Sequence, residues 1–217
     1  MSLLLKTVKI LVGLALVPAC WGAVPAAWDF FRESFGASLP FWIGVLTYLL
    51  LLAIFQQPIR TYVFGHELTH AVWVYLCGGR VEGFRSGVRG GKVRATRANA
   101  LIFLAPYLFP VYSILVVIAW VILGSFVTPP PGREIFSGLL GFSWAFHLTF
   151  TIFFLVQGQP DLAAAGRIFS LPLLWLGNLA VLVLLVALAT EATPPDPART
   201  FLEGIAGAYR ELWGMIR

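Results

Sequence analysis

Long apolar runs separated by short polar breaks dominate this 217-residue chain. A membrane-spanning helix needs about 20 mostly apolar residues, and six runs approach or exceed that length. They cover residues 10–27, 41–55, 59–77, 100–127, 135–156 and 171–189. The pattern predicts an all-α polytopic membrane protein with about six transmembrane helices.

One segment between the third and fourth runs has a different pattern. Val81, Phe84, Val88 and Val93 are separated by glycine and polar residues, and the pair Gly90-Gly91 stands between the last two. Such spacing predicts a short β-hairpin with a two-residue turn. The alternative is an irregular loop exposed to solvent.

Two prolines interrupt the start of the fourth run. Pro106 and Pro110 each lack the N–H that a continuous helix requires. Broken backbone at membrane depth is tolerated only where protein or water satisfies its polar groups. We therefore expect either a disrupted helix end that lines a cavity beside the third run, or a simple kink.

The C-terminal stretch has apolar residues at helical spacing and charged residues on the opposite face. This predicts an amphipathic helix on the membrane surface. The expected organisation is one transmembrane unit at residues 1–190 and a surface helix at residues 191–217. The apolar positions are Phe201, Leu202, Ile205, Tyr209, Leu212, Trp213 and Ile216.

Composition and charge agree with a membrane protein. The chain is 59% hydrophobic and 12% charged, which leaves no room for a separate soluble domain. Six Lys or Arg lie between Arg80 and Arg97, with Glu82 the one acid among them. Beside membrane spans, such a cluster indicates a cytoplasmic loop facing anionic lipid rather than a nucleic-acid partner. Cys20 and Cys77 both lie in apolar runs and indicate neither a disulfide nor a thiol metal site.

The third run contains the sequence His66-Glu67-Leu68-Thr69-His70. On a helix, histidines four residues apart share one face, so both imidazoles can bind one zinc ion. The glutamate between them is the residue type that acts on zinc-bound water in metalloproteases. The alternative, two histidines packed between helices, leaves the carboxylate at membrane depth unexplained.

Catalytic zinc usually takes three protein ligands, and two residues are candidates for the third. Asp161 follows the fifth run, although an Asp after Pro160 is also a natural helix N-cap. His147 lies within the fifth run and could equally be a hydrogen-bonded core residue or one that orients a ligand.

The chain resembles the site-2 protease family of intramembrane zinc metalloproteases. The resemblance rests on His66-Glu67-x-x-His70 in a membrane helix, on the glycine-rich basic segment after it, and on an aspartate at a later helix break. It implies one Zn²⁺ held by His66, His70 and Asp161, with Glu67 as general base. His147 stays the alternative third ligand, or a residue that orients one. Family members usually have Asn-Pro before the aspartate and Gly after it, whereas this chain has Gln159-Pro160-Asp161-Leu162, which marks a divergent branch.

The resemblance also implies the substrate and the setting. We expect hydrolysis of a peptide bond in a membrane-embedded protein, within the lipid bilayer of a bacterial inner membrane. A substrate helix must unwind before its amides can react, and the edge of the hairpin, including Val81 and Val93, could hold it as an added strand. The rival functions are a non-proteolytic zinc-binding membrane protein and a metal transporter. A transporter would carry further polar residues in successive spans, and these runs contain few.

Overall fold

A computed structural model describes residues 3–55, 57–127, 132–190 and 197–217. Helices dominate this part of the chain, and one small antiparallel sheet interrupts them, which confirms the all-α prediction. The elements are α1 (Leu3–Ser34), α2 (Leu39–Ile54), α3 (Ile59–Leu76), β1 (Val81–Arg85), β2 (Lys92–Ala95), α4 (Ala100–Leu108), α5 (Val111–Phe126), α6 (Arg133–Val156), α7 (Pro160–Ala165), α8 (Arg167–Ala189) and α9 (Pro197–Ile216).

Three of these helices are long and apolar enough to cross a membrane, namely α1, α6 and α8. The α4–α5 pair makes a fourth crossing if the two helices are counted as one span. Helix α2 is apolar but has only 16 residues. Length and composition thus indicate a membrane protein, with three or four candidate spans among the described residues.

The fourth apolar run is broken rather than continuous. Helices α4 and α5 meet at an angle of 67°. Phe109 adopts extended backbone angles (φ −102°, ψ 108°), because the ring of Pro110 disfavours a helical conformation in the residue before it. The predicted disruption of this run is confirmed, and the break at Phe109 and Pro110 is more than a simple kink.

The predicted hairpin is present, but its turn differs. Strands β1 and β2 pair antiparallel, with Phe84 opposite Val93 and Arg85 opposite Lys92. Residues 86–91 connect them, and the Gly90 N–H donates to the Gly87 carbonyl within this loop. The predicted two-residue turn at Gly90-Gly91 is wrong, because the turn forms earlier and leaves Gly91 beside the start of β2.

The backbones of α2 and α6 lie in direct contact. A Cβ added to Gly44 would overlap the Gly138 carbonyl, and one added to Gly141 would overlap that of Phe41. Small residues permit this close approach, which is a common way to pack helices in membranes. Helix α3 packs against the α2–α6 pair through a cluster of mostly aromatic residues. Its buried members are Tyr48, Tyr62, Val63, Ala145, Phe146 and Phe150.

A separate cluster holds the short helix α7. It joins α4, α7 and α8, and its buried members are Leu104, Tyr107, Leu162, Ala165 and Leu174. Helix α4 also contacts α3. The arrangement therefore fixes α3 and α7 in different clusters and places α4 against both.

Helix α9 confirms the predicted C-terminal helix and runs antiparallel along α1. Gly204 packs against Gly22, and the Tyr209 hydroxyl donates to the Ala15 carbonyl. The predicted boundary at residue 191 lies outside the described residues. The placement of α9 on the membrane surface stays a prediction.

Candidate metal centre

His66 and His70 lie on one face of α3, as their spacing predicts. Their rings are 4.8 Å apart between centroids and meet edge to face. Helical geometry alone brings these two side chains together, because residues four apart are neighbours on the helix surface.

Asp161 completes a three-residue group with them. Its Oδ2 lies 3.6 Å from Nε2 of His66 and 3.3 Å from Nε2 of His70. All three candidate ligand atoms lie within 4.8 Å of one another. Tetrahedral sites with bonds of about 2.0–2.2 Å place ligand atoms roughly 3.3–3.6 Å apart, and both Oδ2–Nε2 distances lie in that range. The three residues are therefore a group that could hold one metal ion.

Asp161 does not cap its helix. The N-cap of α7 is Gln159, and no side chain satisfies the backbone N–H groups there. The Asp161 carboxylate instead faces the imidazoles and accepts a hydrogen bond from the Tyr107 hydroxyl. The N-cap interpretation of this aspartate is therefore wrong.

The broken helix α4 orients His70. The Nδ1 of His70 lies 2.8 Å from the carbonyl oxygen of Ile102, which can only accept, so Nδ1 carries the proton. That carbonyl is free because its partner in a regular helix would be the N–H of residue 106, and Pro106 has none. The bond leaves Nε2, the nitrogen available to a metal, directed at Asp161. Such a carbonyl partner is typical of metal-binding histidines.

His66 is held by the aromatic cluster of α3. Its Nδ1 lies 3.5 Å from the Tyr62 hydroxyl. Tyr62 itself stacks on Phe150 and Phe154, with centroids 4.8 and 5.0 Å away. The orientation of this ring therefore depends on packing more than on one hydrogen bond.

His147 lies outside the three-residue group. It is buried in α6 next to Asn178, and its Nε2 has no hydrogen-bond partner among the described residues. A cavity of about 10 Å³ separates it from His66 and Thr69. A space of this size is about that of one water molecule. The structure thus places His147 beside the site, not among the candidate ligands.

A cavity of about 870 Å³ opens onto the three-residue group. Its lining comes from α3, β2, the loop 86–91, the N-terminal part of α4, the end of α6 and the start of α7. The Pro-disrupted part of the fourth run, at Pro106 and Phe109, lines the smaller cavity beside α3 instead. Glu67, only 6% exposed, lies on the same wall. Val93 also lines the cavity, whereas Val81 lies on β1, which contributes no residue to the described lining.

The hairpin loop rests directly on Glu67. A Cβ added to Gly91 would lie 2.6 Å from Cδ of Glu67, closer than real contacts allow. The backbone N–H of Val93 interacts with the same carboxylate. Glycine at position 91 is therefore required by this close approach.

Two residues that contact the site could not be assigned to it from the sequence. Tyr107 and Gly91 contact the site only through tertiary packing. Pro106 does stand out, and counting back four residues from it identifies the free carbonyl of Ile102.

No protein-family model matches the chain, and no curated protein or solved structure shows significant similarity to it.

We expect Asp161→Asn to weaken metal binding at least tenfold. The amide keeps the shape of the side chain but removes the charge that faces the two imidazoles. His147→Gln is the matched control and should bind metal like the wild type. Equilibrium titration of the metal-free protein with Zn²⁺ measures both, and the reverse result would make His147 the third ligand.

We expect Gly91→Ala to lift the loop 86–91 from α3, because Glu67 is buried and has little room to move. Hydrogen exchange of the amides from residue 89 to residue 93 should rise several-fold. In Gly87→Ala, the matched control, the new Cβ would meet no atom closer than 4.0 Å, and exchange should not change. Equal exchange in the two variants would contradict the contact.

Proposed function

We propose that this protein is an intramembrane zinc metalloprotease. The observation that carries the proposal is the position of Glu67, a buried carboxylate on the wall of the cavity onto which the His66–His70–Asp161 group opens. A structural metal site needs no such neighbour, whereas metal-assisted hydrolysis needs a base beside the metal. The sequence His66-Glu67-x-x-His70 and its resemblance to the site-2 protease family support the same conclusion.

The reaction is hydrolysis of an amide bond. His66, His70 and Asp161 would hold the zinc ion, which would serve as a Lewis acid toward the scissile carbonyl and water. Glu67 takes a proton from the water that attacks the carbonyl carbon, and returns it to the amide nitrogen as the C–N bond breaks. His70, fixed by the Ile102 carbonyl, keeps Nε2 on the metal side throughout.

The setting is a lipid bilayer. The protein crosses it about six times: α1, α6 and α8 are full spans, α4–α5 is a bent one, and α2 and α3 are the two shorter members. All six basic residues between Arg80 and Arg97 are exposed, which supports a cytoplasmic position for the hairpin. We place the protein in a bacterial inner membrane on the basis of the family resemblance.

The free edge of β2 is the surface that would hold the unwound substrate. Thr96 N–H donates to the Arg80 carbonyl, so this pair is hydrogen-bonded and the next pair, Val81 with Ala95, is not. Hydrogen-bonded and non-hydrogen-bonded pairs alternate along an antiparallel pair of strands. Counted across the irregularity in the register between Val81 and Gly83, Phe84 and Val93 form a non-hydrogen-bonded pair. The N–H of Val93 therefore points away from β1 and into the cavity. This N–H interacts with the Glu67 carboxylate in the structure, so a substrate carbonyl that replaced the carboxylate as its partner would lie beside Glu67.

No observation favours the rival functions. A transporter needs successive binding groups along a path. Among the described residues, His66, His70 and Asp161 form the one cluster with metal-ligand spacing. The non-proteolytic alternative leaves both Glu67 and the cavity without a role.

We expect Glu67→Gln to abolish proteolysis and leave zinc bound. The amide cannot accept a proton from water, and Glu67 is not one of the three metal-binding residues. Cleavage of a co-expressed single-span membrane protein and the zinc content of the purified variant are the two measurements. Loss of zinc together with cleavage, or unchanged cleavage, would contradict the proposed role.

We expect Val93→Pro to reduce cleavage at least tenfold, because it removes the N–H that faces the cavity. Val81→Pro is the matched control. It changes the same residue type at a non-hydrogen-bonded position of the same hairpin, but on the strand that does not line the cavity. A similar loss in both variants would show that hairpin stability, not substrate pairing, is responsible.

A further inference from the structure

Tyr107 contacts two members of the metal-binding group, Asp161 on α7 and His66 on α3. Its hydroxyl donates to Oδ2 of Asp161 at 3.2 Å, and its ring meets that of His66 edge to face with centroids 5.1 Å apart. The side chain is completely buried, with 0% exposure. One residue of α4 therefore contacts both α3 and α7 at the site.

Asp161 needs an external partner of this kind. It lies on a helix of only six residues, and the Gln159 side chain at the N-cap of that helix makes no capping hydrogen bond. Oδ2, the oxygen that faces both imidazoles, has two lone pairs. One can bind the metal while the other accepts the Tyr107 hydroxyl, so the hydrogen bond selects the orientation of the carboxylate without competing for the metal.

Both the ring and the backbone carbonyl of Tyr107 are held in place. Its ring packs in the cluster of α4, α7 and α8, and its backbone carbonyl accepts a hydrogen bond from Asn178 Nδ2 at 2.9 Å. In a continuous helix that carbonyl would pair with the N–H of Val111, but the break at Pro110 separates the two. Asn178 replaces the lost partner, which ties α4 to α8.

Tyr107 does not contact the substrate cavity, because no part of it is exposed. Any effect on the reaction must therefore act through Asp161. We propose that Tyr107 is a positioning residue, which holds the Asp161 carboxylate in the orientation that binds the metal. This inference rests on the metal site of the proposed function, but it does not require that the protein cleaves anything.

The test is equilibrium binding of Zn²⁺ to the metal-free, full-length protein in detergent. Tyr107→Phe keeps the ring and its packing and removes only the hydroxyl. We expect the dissociation constant for zinc to rise about 10- to 100-fold, the usual effect of losing a residue that orients a metal ligand. With Co²⁺ as the probe, the visible absorption spectrum should change as the carboxylate reorients.

Tyr48→Phe is the matched control. Tyr48 is also buried, and its hydroxyl has no hydrogen-bond partner among the described residues. Its variant should bind zinc as tightly as the wild type. Zinc affinity within twofold of wild type in Tyr107→Phe, with an unchanged cobalt spectrum, would overturn the inference.

A double variant separates positioning from general destabilisation. If Tyr107 acts through the carboxylate of Asp161, then Tyr107→Phe should weaken zinc binding in the wild type but have little further effect in Asp161→Asn. Equal effects in both backgrounds would overturn the inference. Wild type that binds zinc but cleaves no substrate would refute only the protease function, whereas wild type that binds no zinc would refute both.

Discussion

A partly buried carboxylate between two imidazoles is the constraint on which the site depends. Asp161 lies within 3.6 Å of Nε2 of both His66 and His70, among helices that are otherwise apolar. Moving an unpaired charge into such surroundings is expensive, so the group is stable only when its members face one another or share a metal. The fold must therefore bring α7 to α3, although different clusters hold the two helices.

Helix α4 makes that connection, and its irregular backbone is the reason. Every backbone carbonyl inside a membrane needs a partner, and a regular helix uses all of them internally. Pro106 and Pro110 free the carbonyls of Ile102 and Tyr107, which then accept from His70 and Asn178. The cost of breaking the helix is thus offset by bonds that orient a candidate ligand and hold Tyr107 in place.

The parts predictable from the sequence are those with local causes. The shared face of His66 and His70 follows from 3.6 residues per turn. The hairpin is predicted from apolar residues separated by glycine and polar residues. The position of the turn has no local cause. Glycine is needed at position 91 so that the loop can lie against Glu67, not to form the turn. That Asp161 rather than His147 groups with the two imidazoles is a tertiary property, which no local pattern in the sequence predicts. Tyr107 carries no signal at all, since its partner is 54 residues away.

The two carboxylates of the site have different surroundings, and this difference separates their roles in the proposed reaction. Asp161 faces the imidazole nitrogens and a hydroxyl donor, which is the environment of a metal ligand. Glu67 faces the cavity, the Gly91 backbone and the N–H of Val93. The hairpin therefore contacts the proposed base and also carries the strand edge proposed to pair with substrate. In the proposed reaction, a substrate strand added to β2 would lie next to Glu67, whereas Asp161 would stay with the two imidazoles.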